Sequence, residues 1–385
     1  MMVFIVFFIS VVLSFCSVLV VLKLSHRKGW YDNFDERKIH TENIPRLGGI
    51  GFAFAFFIIL TGIGVFYRNI GVNITRFLPC AAAMFFMLVS GAYDDFRSIA
   101  PRYKLLLQIV AALCVIVSGF TFDRLVYIGD GFFTELGIWT IPITFLWIVG
   151  FTNAINFIDG VDGLAGGLSA LIVFFLGIII FSFAGISKAV LLCTCLFGVL
   201  IGFLILNAPI PRARIFMGDG GSQFLGFALA LLPVMKDTAS PDALPVLYAA
   251  ALFSIPIFDA TASVWRRIRD GKKIYNPDKA HLHHKLMNLG LSARGVIAVI
   301  FILQIIVGVL TLTAVRLQGI PSLYVLCSVY LIVLVFFIVI HYMNRRVKEN
   351  GSGLESKNTG IGNTCIDNTG INNTCINAET DERTR

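Results

Sequence analysis

Apolar runs of about twenty residues follow one another along almost the whole chain, and no other feature restricts its fold so tightly. A run of that length matches the hydrocarbon thickness of a bilayer. Inside lipid every backbone N–H and C=O has to be satisfied within the element, so such runs are helical. Eleven can be read: 3–23, 47–67, 77–92, 104–120, 138–155, 163–185, 188–207, 220–236, 243–265, 295–316 and 321–343. With hydrophobic residues at 57% and charged residues at 14%, little is left for a soluble domain. The expected fold is therefore all-α, a polytopic membrane domain of about 11 transmembrane helices over residues 1–343. Residues 344–385 form a polar cytoplasmic tail with a ten-residue repeat, NTGIGNTCID then NTGINNTCIN, whose composition is that of a disordered segment. One longer loop, 121–137, carries β-branched and aromatic residues around a GDG turn and predicts a small hairpin.

Charge sets the expected orientation. The first run has no basic residue before Lys23 and no small-residue cleavage site, so it reads as a retained helix with an outside N-terminus. Eleven crossings then put the C-terminus inside, and 25 of the 31 basic residues fall in the inside segments. Orientation thus accounts for most of the net charge of +8, and no nucleic-acid partner is expected. Six of the eight cysteines lie in apolar runs, where a thiol behaves as a small hydrophobe, and none has zinc-type spacing.

The polar clusters gather on the same predicted face. Between two apolar runs stands NAINFIDGVDGL, with Asn153, Asn156, Asp159 and Asp162 at three-residue intervals, a spacing that places them along one face of a helical turn. Asp94 and Asp95 end another run; adjacent carboxylates at a membrane edge are either a solvated pair with Lys104 as counter-ion or ligands of a hard cation such as Mg²⁺, which takes oxygen ligands. Asp219 lies in FMGDGGS, among glycines that allow close approach of a phosphate or of another helix. His281, His283 and His284 stand in HLHH beside Lys279 and Lys285, a setting that favours a phosphate clamp over a zinc site.

In this order, DD with a following YK (Tyr103–Lys104), NxxNxxDGxDGL, FMGDxGS and HxHH resemble the polyprenyl-phosphate N-acetylhexosamine-1-phosphate transferases, over roughly residues 1–343. The resemblance implies transfer of N-acetylhexosamine 1-phosphate from a UDP-sugar to a polyprenyl phosphate such as undecaprenyl phosphate, with release of UMP and with Mg²⁺ or Mn²⁺. It further implies a plasma-membrane enzyme with a cytoplasmic active site, working in cell-envelope polysaccharide or teichoic acid synthesis, and a homodimer as in relatives. By the same resemblance Asp219 and Asn156 are metal-binding. Asp94, Asp95, Asp159, Asp162, His281, His283 and His284 match catalytic positions, and the first aspartate of the pair is the proposed base for the lipid phosphate. Lys38, Lys104, Asn153, Asp162, Phe216 and His283 match substrate-binding positions, with Phe216 stacking on uracil. For Asn153 a structural role bonding backbone at the helix end is the stronger expectation.

HLHH, with Leu282 interrupting the histidines, looks more like the GlcNAc-1-phosphate transferases than like phospho-MurNAc-pentapeptide translocase, which is the alternative. A secondary transporter is the rival from another class. It would carry ionisable groups at mid-membrane, whereas the helix centres here are nearly free of charge and the main exception, Asp259, lies toward the inner end of its helix.

Overall fold

A computed structural model describes residues 1–31, 44–66, 74–128, 132–208, 212–236, 244–273, 280–317 and 319–361. Among the described residues the chain is helical apart from one hairpin. The helices are α1 (Met2–Lys28), α2 (Gly48–Phe66), α3 (Ile74–Phe96), α4 (Pro101–Val117), α5 (Thr140–Ile158), α6 (Leu164–Ala184), α7 (Lys188–Asn207), α8 (Gly218–Leu231), α9 (Val246–Leu252), α10 (Ser254–Arg269), α11 (Leu282–Asn288), α12 (Ala293–Leu317) and α13 (Gly319–Ile361). The hairpin expected between α4 and α5 is present: β1 (Arg124–Ile128) pairs antiparallel with β2 (Phe132–Glu135), and its GDG turn lies outside the described residues.

Eight helices among the described residues are long and apolar enough to cross a bilayer: α1, α2, α3, α5 with the 3₁₀ turn before it, α6, α7, α12 and α13. The three remaining runs of the eleven correspond to shorter or broken elements. The run at 104–120 is the 17-residue α4, and that at 220–236 is the 14-residue α8 followed by a 3₁₀ turn. The run at 243–265 is not one straight span but α9 and α10, which meet at 84°. The cause is local. Pro256 has no N–H to offer the carbonyl of Leu252, four residues back, and the helix breaks at Phe253. The freed carbonyl accepts a 3.0 Å hydrogen bond from Nε2 of Gln304, a fully buried residue of α12. Gln304→Leu should strand that carbonyl at a cost of about 1–3 kcal/mol and lower the thermal midpoint in detergent by several degrees. An unchanged midpoint would mean that the bend does not need this bond.

The tail expected from residue 344 begins as a continuation of α13, which stays helical to Ile361; residues 362–385 lie outside the described residues.

Small residues let the helices close on one another. Gly198 and Gly202 of α7 lie one turn apart and meet Ser10 and Ser14 of α1, whose Ser14 hydroxyl donates to the Val199 carbonyl at 2.6 Å. The centre of the bundle is α8, buried over almost all its length and packed against α2, α3 and α5. A Cβ on Gly49 would stand 2.1 Å from the Cα of Gly221, so α2 and α8 touch backbone to backbone. That contact fixes where the first turn of α8 sits. The C-terminal ends of α3 and α5 and the N-terminal ends of α4 and α8 meet at one end of the bundle.

Candidate active site

Asp219 occupies the second position of α8 and is the hub of the polar cluster. Its Oδ1 accepts from Nδ2 of Asn156 at 3.1 Å, and its Oδ2 faces Nζ of Lys104 at 3.2 Å. Lys104 also forms an ion pair with Asp94, whose other oxygen accepts the Ile99 N–H at 2.6 Å. Two carboxylates, one ammonium and one amide from four separate helices are therefore in direct contact. Burial works to raise the pKa of Asp219, but its hydrogen bonding with Asp94, the Lys104 charge and the Asn156 amide outweigh it and hold the carboxyl below the usual range.

Asp95 is used differently. Its Oδ1 accepts the N–H of Asp219 at 2.8 Å and its Oδ2 that of Gly220 at 3.0 Å. These are unpaired donors of the first turn of α8, so Asp95 serves as that helix's N-terminal cap from a neighbouring element. Gly218 makes room for it. Its φ is +76°, and a Cβ there would meet the Arg46 carbonyl at 2.0 Å and the Asp95 carboxylate at 2.8 Å. The adjacent pair thus separates into one carboxylate that faces the cation and one that holds Asp219 in place.

The row of four in NAINFIDGVDGL does not form a single wall. α5 ends at Ile158, so the helical period stops before Asp159. Asn153 faces α4, where its amide pairs with that of the buried Gln108 (2.6 and 3.4 Å) and bonds the Val149 carbonyl at 2.8 Å. This is a tie between two helices, in line with the structural reading of that residue. Asn156 presents Nδ2 to both Asp219 and, at 2.8 Å, the Ser222 hydroxyl. Asp159 caps α5, and Asp162 follows in the turn before α6. Burial, and then the nearby carboxylates Asp219, Asp162 and Asp95, push the Asp159 carboxyl up to about 7 against the counter-pull of Arg46.

The histidines lie on the far side of the same turn. A Cβ on Gly160 would stand 2.4 Å from Nε2 of His283, so the first glycine of DGVDGL is the seat of that ring. His281 and His283 are buried with parallel rings 6.0 Å apart, and His284 lies 4.2 Å from His283. Burial first, then the neighbouring His284 and His281, bring His283 down to about 4, so it is a neutral imidazole at pH 7. Gly160→Ala should displace that ring, with an overpacking cost of about 1–3 kcal/mol. The expected result is at least tenfold lower turnover, with the thermal midpoint lowered by several degrees; full turnover would show that the ring's position is immaterial.

Three contributors escaped the sequence reading. Asp259 of α10, noted there only as a charge toward the inner end of its helix, bonds Nδ1 of His281 at 3.0 Å through Oδ2 and the Leu282 N–H at 2.8 Å through Oδ1. It fixes both the tautomer of His281 and the start of α11. Asn207, at the end of α7, accepts the Gly163 N–H at 2.9 Å and donates to the Ile215 carbonyl at 2.9 Å, joining the DGVDGL turn to the strand of chain that leads into α8. Gln108 is the third. Phe216 lies half-buried on that same lead-in, its backbone paired with Pro45 and Gly48. Lys38 lies outside the described residues.

Among the described residues no three His, Cys, Asp or Glu side chains form a ready metal cage. The donor set nevertheless fits Mg²⁺, which is commonly held by one or two carboxylates plus substrate phosphate and water. Asp94 and Asp219 already turn carboxylate oxygens toward one shared cation, the Lys104 ammonium.

The family model described as "Glycosyl transferase family 4" matches residues 77–236, which include α3, α4, α5 and α8. The probable undecaprenyl-phosphate N-acetylglucosaminyl 1-phosphate transferase of Bacillus subtilis (strain 168) is 32% identical over 346 residues, 87% of this chain and 89% of its own length. The undecaprenyl-phosphate alpha-N-acetylglucosaminyl 1-phosphate transferase of Escherichia coli (strain K12) is 30% identical over 281 residues, covering 71% of this chain and 73% of that protein. Its counterpart from Yersinia pestis is 27% identical over 331 residues, 84% and 87% of the two chains. On these matches and on the ordered motifs that build the cluster at the head of α8, the chain belongs to the polyprenyl-phosphate N-acetylhexosamine-1-phosphate transferases of glycosyl transferase family 4.

Proposed function

We propose that the protein transfers N-acetylglucosamine 1-phosphate from UDP-GlcNAc to undecaprenyl phosphate, with release of UMP, at the cytoplasmic face of the plasma membrane. The observation that carries this reading is the contact of Asp94, Lys104, Asn156 and Asp219 at the one end of the bundle where helix termini converge. The excess of basic residues in the loops read as inside supports a cytoplasmic position for that end, the side from which a nucleotide sugar arrives.

Both substrates are phosphates, so the site's first task is to bring anions together. Asp219 would hold Mg²⁺ or Mn²⁺, with Asn156 orienting it or, with its amide turned, adding its oxygen. The ion would supply charge neutralisation on the donor diphosphate. Lys104 adds a fixed positive charge beside it. Asp94 takes the proton from the lipid phosphate, whose oxygen then attacks the sugar-linked phosphorus. The bond to the UMP oxygen breaks, and UMP leaves. Neutral His283 and the Asp259-oriented His281 contribute imidazole hydrogen bonds. The lead-in segment that carries Phe216 is the candidate wall for the base.

Purified protein with undecaprenyl phosphate, Mg²⁺ and a panel of UDP-sugars tests this. UMP release is expected with UDP-GlcNAc and not with UDP-MurNAc-pentapeptide. Solute flux in proteoliposomes without UMP release would instead indicate a transporter. Labelled donor in the absence of lipid should leave no label on the protein if the transfer is direct.

Asp159 allows a test that needs no turnover. Its carboxyl binds a proton more tightly when folded than in the unfolded chain, where the pKa is about 4. The folded state therefore loses this advantage as pH rises from about 4 to about 7. In metal-free buffer, Asp159→Asn should melt higher than the parent at pH 8 and alike at pH 4. Equal midpoints at pH 8 would show that the carboxyl is not strained by ionisation.

A further inference from the structure

Away from the cluster, α10 and α13 diverge to leave a cleft of about 610 Å³. Its walls are apolar: Phe258 and Ala262 on α10, and Leu334, Phe337 and Ile338 on α13, with the Phe258 and Phe337 rings 5.8 Å apart. Toward the C-terminal end of α10 the lining turns cationic, with Arg266 and Arg269 from α10 and Lys285 from α11, and His341 of α13 lies among them as a hydrogen-bonding imidazole. Arg345 adds to the positive field at His341. Among the described residues Asp270 lies beside this rim and pairs with Arg269 at 3.0 Å. Trp265 and Tyr342 stand at the mouth, both more than half exposed, as aromatic residues do at a bilayer interface.

We infer that this cleft binds an anionic glycerophospholipid, its acyl chain between α10 and α13 and its phosphate under Arg266, Lys285 and His341. Two features of the cleft specify the ligand together. Apolar walls long enough for a chain select against a free anion, and the excess of positive charge at one end selects against a zwitterionic head. The site also bears on the histidine element. The Lys285 carbonyl accepts from Nδ2 of the buried Asn344 at 3.0 Å, so α11 is already tied to α13 beneath the cationic rim. A head bridging Lys285 to Arg266 and His341 would brace α11, and with it His281 and His283. An effect on turnover rests on the function proposed above; the binding does not.

Full-length protein, delipidated in detergent and reloaded with phosphatidylglycerol or phosphatidylcholine of matched chains, is read by native mass spectrometry. At least tenfold preferential retention of phosphatidylglycerol is expected. The double variant Arg266→Gln, His341→Gln should abolish the preference, and Ala262→Trp, which fills the cleft, should reduce retention of both lipids. No preference in the parent protein overturns the inference without recourse to any variant. So does displacement of phosphatidylglycerol by equimolar inorganic phosphate, which would make this a free-anion site. A rise in the KM for undecaprenyl phosphate in the double variant, with phosphatidylglycerol retention unchanged, would assign the cleft to the acceptor. Loss of a dimer in Ala262→Trp with lipid retention unchanged would assign it to a second copy of the chain.

Discussion

Asp219→Asn should lower the rate of UMP release by roughly a thousandfold, equivalent to about 4 kcal/mol of transition-state stabilisation. Both oxygens of Asp219 are in use, one toward Asn156 and one toward Lys104, and the carboxyl is held ionised well below the usual range. The substitution removes a negative charge from the point where two phosphates and a divalent cation have to meet. Lys104 keeps Asp94, so the local fold retains its ion pair and the thermal midpoint should stay close to that of the parent. A readout besides turnover separates the metal role from a general loss of structure. Mg²⁺ should raise the melting temperature of the parent through preferential binding to the folded state, and should leave Asp219→Asn unmoved. Turnover within tenfold of the parent, or an intact Mg²⁺ shift in the variant, would remove Asp219 from the metal site. Asp219→Glu is expected to fail nearly as badly. Gly49 and Gly91 pack against the first turn of α8 backbone to backbone, so that turn cannot retreat to accommodate a longer side chain.

How much of this was legible beforehand depends on the range of the interaction. Each of the eleven apolar runs coincides with helix, because bilayer length and backbone satisfaction are local requirements. The run 243–265 was read as one span although it contains Pro256, and the carbonyl freed at the 84° bend is met by Gln304, forty-eight residues beyond that proline and on another helix, which no local pattern reveals. The same holds at the site. Asp94, Asp95, Asn156 and Asp219 stood out because they are polar residues bordering apolar runs. Their division of labour did not, because it depends on which helix end each one meets. Asn153 and Asn156 share a face of α5 by spacing, yet one meets Gln108 and the other Asp219. Asp259 lay inside an apolar run and read as an isolated charge. Only the folding back of α11 brings His281 within 3.0 Å of it.

The division between Asp94 and Asp95 leads to the second large effect. Asp95→Asn should reduce turnover by about two orders of magnitude and also lower the thermal midpoint by roughly 5 °C, since hydrogen bonds to a charged acceptor are worth about 1.5–3 kcal/mol. The carboxylate accepts two backbone N–H groups at the start of α8, at 2.8 and 3.0 Å, and an amide offers only one oxygen for them. Its NH₂ would point at a second N–H, and the negative charge that complements the positive end of the helix would be lost. The first turn of α8 carries Asp219, so a loosened cap should also raise the Mg²⁺ concentration needed for half-maximal activity. Asp94→Asn makes the opposite pattern. That side chain contacts Lys104, the Ile99 N–H and the Asp219 side chain but not the backbone donors of α8, so its loss should fall on kcat with a smaller change in Mg²⁺ requirement. If Asp95→Asn instead kept its melting temperature and Mg²⁺ requirement while kcat collapsed, Asp95 would be the proton acceptor and not the cap. Proton transfer and helix capping are thereby separated by measurements on two neighbouring residues, one of which acts on phosphate and the other on the backbone that aims Asp219.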